Sequence, residues 1–195
     1  MKKICLVLFI FMFALSGMTA VESMSKSKNI GIVIIGNNDV KSEKYFQRSA
    51  AIFDVEKNPN VSVEVGESIQ QKYYDYCKDK EINENEAPKL ENLLEFTAQN
   101  NFDRMLCLVI KNPEVSKSQN ESYLGFGRVG LKEFFTISMT VNAYLCDQTQ
   151  ILKAHSVTKQ KTQDDKHSHD PEAKAKRGAF TLCINDIGKA IKGLW

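Results

Sequence analysis

Between Phe134 and Asp147 apolar and polar side chains alternate without a break. Phe135, Ile137, Met139, Val141, Ala143 and Leu145 fall on one side, and Thr136, Ser138, Thr140 and Asn142 on the other. A period of two held over that length predicts a β-strand with one buried and one wetter face. The Thr, Val, Ile, Phe and Tyr content suits a pleated surface. Asp147 and Gln148 predict a tight turn into a second strand over 149–159, antiparallel to the first. This hairpin is the expected rib of a sheet, and the other segments read as its cover.

Upstream, Asn29 to Ile35 (NIGIVII) is a continuous apolar run, the pattern of a strand buried on both faces. Gly36, Asn37 and Asn38 end it, and Asp39 is the predicted cap of a helix carrying Tyr45, Phe46, Ala50, Ile52, Phe53 and Val55. Val61 to Val65 predicts a short strand. Gly66 leads into a helix with Ile69, Tyr73, Tyr76, Cys77 and Lys80 on one stripe, and Ser68 with Gln71 has the form of a capping box. Pro88 predicts the first turn of a third helix bearing Leu90, Leu93, Leu94 and Thr97. Arg104 to Lys111 (RMLCLVIK) is a second buried strand. Residues 112–130 read as a long polar loop, mobile or functional by its length, and 161–170 as another. Asp170 followed by Pro171 predicts a helix start, with Phe180, Cys183, Ile184, Ile187, Ile191 and Leu194 on one face. The order predicts an α/β (α+β) fold. It is a single two- or three-layer domain over 29–195, with a mixed sheet of about five strands, parallel βα units first, then the antiparallel hairpin and a closing C-terminal helix.

The first twenty residues differ in kind. Lys2 and Lys3 precede an apolar run from Ile4 to Leu15, and Ser16, Gly17, Thr19 and Ala20 supply small residues for cleavage. This predicts a secretory signal peptide over 1–20, its apolar run short of the ~20 residues that span a bilayer, and then a polar lead-in over 21–28. No Cys follows the apolar run to accept a lipid. The expected product is exported, to the periplasm or beyond, with no membrane span after cleavage. Across 195 residues there are 26 Lys and Arg against 24 Asp and Glu. Loss of Lys2 and Lys3 balances the two, so charge makes no case for nucleic acid or an anionic membrane surface. Cys77, Cys107, Cys146 and Cys183 remain in an oxidising compartment, where a Cys146–Cys183 bridge is the preferred pairing. No CxxC suggests a redox or zinc motif.

Candidate chemistry is sparse. Gly125, Gly127 and Gly130 satisfy G-x-G-x-x-G, but a nucleotide site needs a strand before and a helix after; here a polar stretch precedes and the clearest strand follows. Gly36-Asn37-Asn38 sits at the end of the first strand, where α/β sheets favour ligands, but three turn residues carry little information and read first as an ordinary turn. His167 and His169, with Asp164, Asp165 and Asp170 nearby, are the one metal-like cluster and are the candidate ligands for Zn²⁺ or Cu²⁺. His155 reads as a partly exposed strand histidine, and no G-x-S-x-G elbow gives it a nucleophile. The tyrosines at 73, 74 and 76 read first as core packing. Lys174, Lys176 and Arg177 place cations at a helix start that disfavours them. No cofactor motif is present.

NIGIVIIGNN at 29–38, MTVNAYLCDQTQILKAHSV at 139–157 and AKRGAF at 175–180 together resemble small exported bacterial α/β proteins. More distantly they resemble the periplasmic domain of the curli-secretion lipoprotein and the amino-terminal domain of the Tol-system propeller protein. The resemblance implies a cell-envelope setting and binding rather than catalysis, and transfers no functional residue. The expectation is a non-enzymatic envelope protein that binds another protein or an envelope component, the 112–130 segment and the hairpin's open side making the contact. The alternatives are a small-ligand or metal carrier using the 164–170 segment, and a hydrolase with scattered residues.

Overall fold

A computed structural model describes residues 27–123, 129–165 and 169–195, with backbone alone at 122–123 and 129–130. The signal segment, most of the lead-in, the glycines at 125 and 127, and His167 lie outside the described residues. The elements are β1 (Lys28–Ile35), α1 (Glu43–Ala50), β2 (Val61–Glu64), α2 (Glu67–Asp79), α3 (Leu90–Gln99), β3 (Arg104–Ile110), β4 (Glu114–Tyr123), β5 (Val129–Cys146), β6 (Ile151–Asp164) and α4 (Pro171–Ile191).

These strands form one mixed six-stranded sheet in the order β2-β1-β3-β5-β4, with β6 on the other side of β5. β1 pairs parallel with β2 and β3, as βα connections require. β5 pairs antiparallel with β6 from Phe134↔Asp164 to Cys146↔Ile151. On its opposite edge β5 is shared: its C-terminal part pairs with β3 and its N-terminal part with β4. The α/β fold with a mixed sheet, an antiparallel hairpin and a closing helix is thus the observed architecture.

The sheet divides the core. On one face Ile30, Ile32 and Ile34 of β1, Leu106 and Leu108 of β3, and Ile137, Met139, Val141, Ala143 and Leu145 of β5 meet α1 and α4. On the other, Val33, Ile35, Met105, Cys107 and Val109 meet Ile69, Tyr73, Tyr76 and Cys77 of α2 and Leu93 and Phe96 of α3. Tyr73, Tyr76 and Phe96 stack edge to face there, with centroids 5.3 and 5.4 Å from Phe96 to Tyr73 and Tyr76. Gly31 permits this layer to close: a Cβ there would lie 2.8 Å from the Phe102 ring and 2.9 Å from Ile69. Beyond β2, α2 seals the β1 edge; the Gln70 amide, oriented to suit, accepts from Ile34 N at 2.6 Å and donates to Ile34 O at 3.1 Å.

Helix starts divide between expected and corrected. Asp170 caps α4, accepting from Ala173 N at 2.9 Å with Pro171 at the first position. Asp39 caps nothing: a short 3₁₀ turn spans Asn38–Val40, α1 begins at Glu43 after Ser42, and the Asp39 carboxylate accepts from Lys176 Nζ at 2.6 Å. That ion pair also answers the cation at the start of α4. Gly66 is the N-cap residue of α2, leaving Ser68 inside the helix without a capping box, and α3 begins at Leu90, two residues after Pro88. Val55 lies past the end of α1 and is exposed. The largest revision is at 112–130, which reads as a loop but holds the ten-residue β4 and the start of β5.

Burial predicts a steep contrast in stability. Ile187→Ala, in a fully buried position of α4, is expected to cost ~2–5 kcal/mol in urea unfolding, whereas Leu131→Ala, in an exposed one, is expected to stay within ~0.5 kcal/mol.

Candidate functional site

The segment that positions a surface rather than a core is the projecting part of β4, β5 and β6. β3 and β4 are almost one strand. Ile110 pairs with Val141 and Glu114 with Ser138, so residues 111–113 oppose residues 139–140, one extra residue on the β3–β4 side. Lys111 N still donates to Thr140 O at 3.0 Å, and Pro113, with no N–H to offer, occupies the bulge. At the same place the chain leaves the end of β1: Asn37 Nδ2 donates to Asn112 Oδ1 at 2.8 Å. Past this bulge the sheet loses β1 and β2; it continues as three strands to Phe134, where β6 ends at Asp164, and then as β4 and β5 alone. Lys161, paired with Ile137, lies under Gly178 of α4. The first turns of α4 lean instead toward α1, through the Lys176–Asp39 pair. Residues 129–136 of β5 and their partners therefore extend ~25 Å beyond the helical layer.

The two faces of this ribbon differ. One carries Ser116, Ser118 and Asn120 of β4, Thr136, Ser138, Thr140 and Asn142 of β5, and Ser156, Thr158, Gln160 and Thr162 of β6, placed side by side by the register. These side chains bond across strands: Thr136 to Thr162 at 2.8 Å, Thr140 to Thr158 at 2.8 Å, and Ser156 donating to Asn142 Oδ1 at 2.7 Å. The result is a hydroxyl and amide surface interrupted by Phe134, opposite Ser118 with Lys132 Nζ 5.0 Å from its ring centroid, and its charges are Glu114 and the Lys132–Asp164 pair at 2.6 Å. The opposite face carries Val115, 45% exposed, Leu131, 66% exposed, and Phe135, with Lys117 Nζ 5.0 Å from the Phe135 centroid.

The other candidates fall elsewhere. His169 is exposed, in the bend before α4, next to the capping Asp170; its proposed co-ligand His167 is outside the described residues. Among the described residues no group of three His, Cys, Asp or Glu side chains is close enough to hold a metal ion. His155 is half-buried beside α4, its Nε2 enclosed without a hydrogen-bond partner, and its charge helps lower the Asp186 carboxyl, after the larger effect of the Lys159 hydrogen bond. Asn38 lies at the rim of an open cleft of about 340 Å³ with Lys41, Glu67, Gln70, Tyr74 and Glu84. Tyr73 closes the cleft floor from within the core, and its phenol is pushed far up by burial.

The expected Cys146–Cys183 bridge is not formed. All four described cysteines are free and buried, and these two sit in the separate cores on opposite sides of the sheet. Cys183 Sγ donates to Met139 O at 3.5 Å, and Cys146 Sγ lies 3.4 Å from Thr97 Oγ1. Each thiol satisfies a local polar group in an apolar layer, and burial pushes the Cys107 and Cys146 thiols up.

The sequence matches no known family profile and no curated protein. Among solved structures it is similar to a minor lipoprotein of Acinetobacter baumannii, at 9% identity and TM-score 0.37 over 84% of this chain and 89% of that one. It is also similar to a hypothetical protein of Chlamydia trachomatis, at 9% identity and TM-score 0.40 over 85% and 98%. A third likeness is to a lipoprotein of Neisseria meningitidis, at 12% identity and TM-score 0.39 over 84% and 97%. These are likenesses at TM-scores below 0.5 and carry nothing over to this chain. The curli-secretion and Tol resemblances rest on the three stretches that carry them.

Two outcomes follow from the buried acids. Native protein is expected to resist thiol reagents at Cys77, Cys107, Cys146 and Cys183, and all four are expected to react on unfolding in the absence of reductant; a mass showing an intact disulfide contradicts this. Burial raises Cys183 from 9.0 to about 11, and burial with the nearby Asp39 carboxylate raises Tyr45 from 10.0 to about 12. An acid held above its unfolded pKa stabilises the fold fully below the unfolded value and loses that contribution as pH climbs to the folded one. Urea midpoints are therefore expected to fall from pH 9 toward pH 12, less steeply in Tyr45→Phe.

Proposed function

We propose that the chain is exported to the cell envelope and acts there as a non-catalytic binding protein, with the projecting β4–β5–β6 ribbon as its contact element. The observation that carries this reading is the ribbon itself. It continues past the helical layer, presents a hydroxyl and amide face on one side, and leaves Leu131 and Val115 exposed on the other. A long, ordered, uncovered sheet with these two faces is costly to keep in water without a partner, because apolar area at the tip stays wet.

Placement supports the reading. β1 begins, at Lys28, at the end of the sheet where β5 finishes, because β1 runs parallel to β3 and β3 antiparallel to β5. The C-terminus returns to that same end, where Arg104 Nε donates to Leu194 O at 3.2 Å and Trp195 packs on Phe53. Lys28 therefore stands at the end of the sheet opposite Val129. No helix among the described residues is long and apolar enough to cross a membrane. The displaced acids described here are buried tyrosines and thiols among core side chains, or surface carboxylates in ion pairs and turns, such as Glu95 beside Lys80 and Asp147, which accepts from Thr149 and Gln150.

The experiment has two arms. Residues 1–25 fused to a reporter that is active only after export are expected to confer activity, and the exported chain's mass is expected to begin at Val21. The mature chain immobilised against an envelope extract is then compared with Leu131→Asp and Thr140→Arg, one on each ribbon face. Wild type is expected to retain a defined component, and at least one variant to lose it about tenfold with unchanged circular dichroism. Equal retention by all three chains contradicts the ribbon as the contact element.

A further inference from the structure

β4 ends the sheet. Among the described residues it pairs with β5 alone, so the backbone groups along its outer edge have no ladder partner. Such an edge is a template for another strand, and proteins that must stay apart blunt it with proline, bulges, short length or unmatched charge. β4 uses none of the first three, and its charges are Glu114, Lys117 and Glu121. It runs ten residues without proline, and its register with β5 is unbroken from Glu114↔Ser138 to Tyr123↔Val129. The two other outermost strands among the described residues contrast with it. β2 is only four residues long. β6 carries Lys153, Lys159 and Lys161 on one face with no acid among them, so pairing with its own copy sets like charges side by side.

The charges on β4 fit a different partner, β4 itself. On the Val115 face the order is Val115, Lys117, Gln119, Glu121. In an antiparallel pair of identical strands centred on Gln119, Lys117 stands opposite Glu121 of the second copy, and Glu121 opposite its Lys117. Gln119 meets its own equivalent, and on the other face Ser118 meets Asn120. Centring on Lys117 or Glu121 sets like charges opposite each other, and centring on Ser118 leaves both charges without a counterpart. Only the Gln119 register matches both charges, and it is isologous, as a closed two-fold dimer requires. Lys117, Gln119 and Glu121 are all exposed. Gln119 Nε2 already donates to Glu133 Oε1 at 2.7 Å from the neighbouring strand, which holds its side chain along the sheet face and away from the edge.

We propose that the β4 edge pairs antiparallel with β4 of a second copy of this chain about a two-fold axis at Gln119, joining two six-stranded sheets into one continuous sheet. This deepens the reading of the ribbon as a contact element by naming the occupant of its edge, and leaves the faces of β5 and β6 open to another partner.

Sedimentation equilibrium of the mature chain over a dilution series tests it. Wild type is expected to associate reversibly to a dimer. Lys117→Glu and Glu121→Lys are each expected to weaken the dimer at least about tenfold, because each replaces two attractive pairs by two repulsive ones. The double variant Lys117→Glu with Glu121→Lys is expected to return to within about threefold of wild type. Gln119→Cys is expected to form a disulfide-linked dimer on mild oxidation, read on a non-reducing gel beside wild type. A chain that is monomeric at every concentration overturns the proposal, as does one that takes up only a foreign strand, or a dimer indifferent to Lys117→Glu. None of those results changes the capture expected at Leu131 and Thr140, so the two readings fail separately.

Discussion

Every layer of this protein is registered on one strand. β5 is eighteen residues long and uses both edges along most of that length: β6 on one side, and β3 then β4 on the other. Because side chains alternate with period two, a slip of one residue would turn Ile137, Met139, Val141, Ala143 and Leu145 out of the α1–α4 core and put Thr136, Ser138, Thr140 and Asn142 in their place. Five apolar groups would be exchanged for four polar ones that need partners. At ~1.5–3 kcal/mol for each buried aliphatic side chain, that penalty is as large as the net stability of an ordinary domain. The alternation therefore fixes the register of β3, β4 and β6 at once, and with it the separation of the two cores.

That constraint also explains why the same strand serves two purposes. From Ile137 to Cys146 its apolar side is covered by α4 and its other side looks, at the far end, toward α2 and α3. From Val129 to Thr136 the pairing continues but the helices do not. Residues 134–136 are bonded on both edges, with cross-strand pairs such as Thr136 with Thr162, and residues 129–133 are bonded to β4 alone. Among the described residues the outer strands of the ribbon, β4 and β6, each pair with β5 alone. A bulge at 111–113 lets the single direction of β3 pass into β4, while Asn37 and Asn112 tie the departing strand to the end of β1.

Much of this was legible from side-chain pattern. The alternation at 135–145, the apolar runs of β1 and β3, and the Asp170-Pro171 start of α4 each carry a local physical signal strong enough to survive in the fold. β4 was not legible for a specific reason. EVSKSQNESY has neither an apolar face nor β-branched density; it is a strand because β5 offers it an edge, and tertiary pairing outweighs propensity there. The caps at Asp39, Ser68 and Pro88 misread for a related reason: each has the right residue type, but the chain bends one turn away, and Asp39 is worth more to Lys176 than to a helix end. Sequence spacing likewise could not place Cys146 and Cys183 on opposite sides of the sheet, because that depends on which faces of β5 and α4 meet. The projecting strands were visible only as an unusual length of polar chain at 112–130; the exposure of Leu131 and the cross-strand hydroxyl pairs required the register.

Hydrogen exchange read at single amides tests the central role of β5 most directly. Amides of residues 137–146 that bond to β3 and β6 are expected to exchange only through global unfolding, with the same free energy as the α4 amides of Phe180 to Ile187. Amides of β4 and of residues 129–136 are expected to exchange through local opening at lower free energy. Early exchange across 137–146 while β1 and β3 stay protected would contradict the account, because the two cores would then be held together by something other than the strand they share.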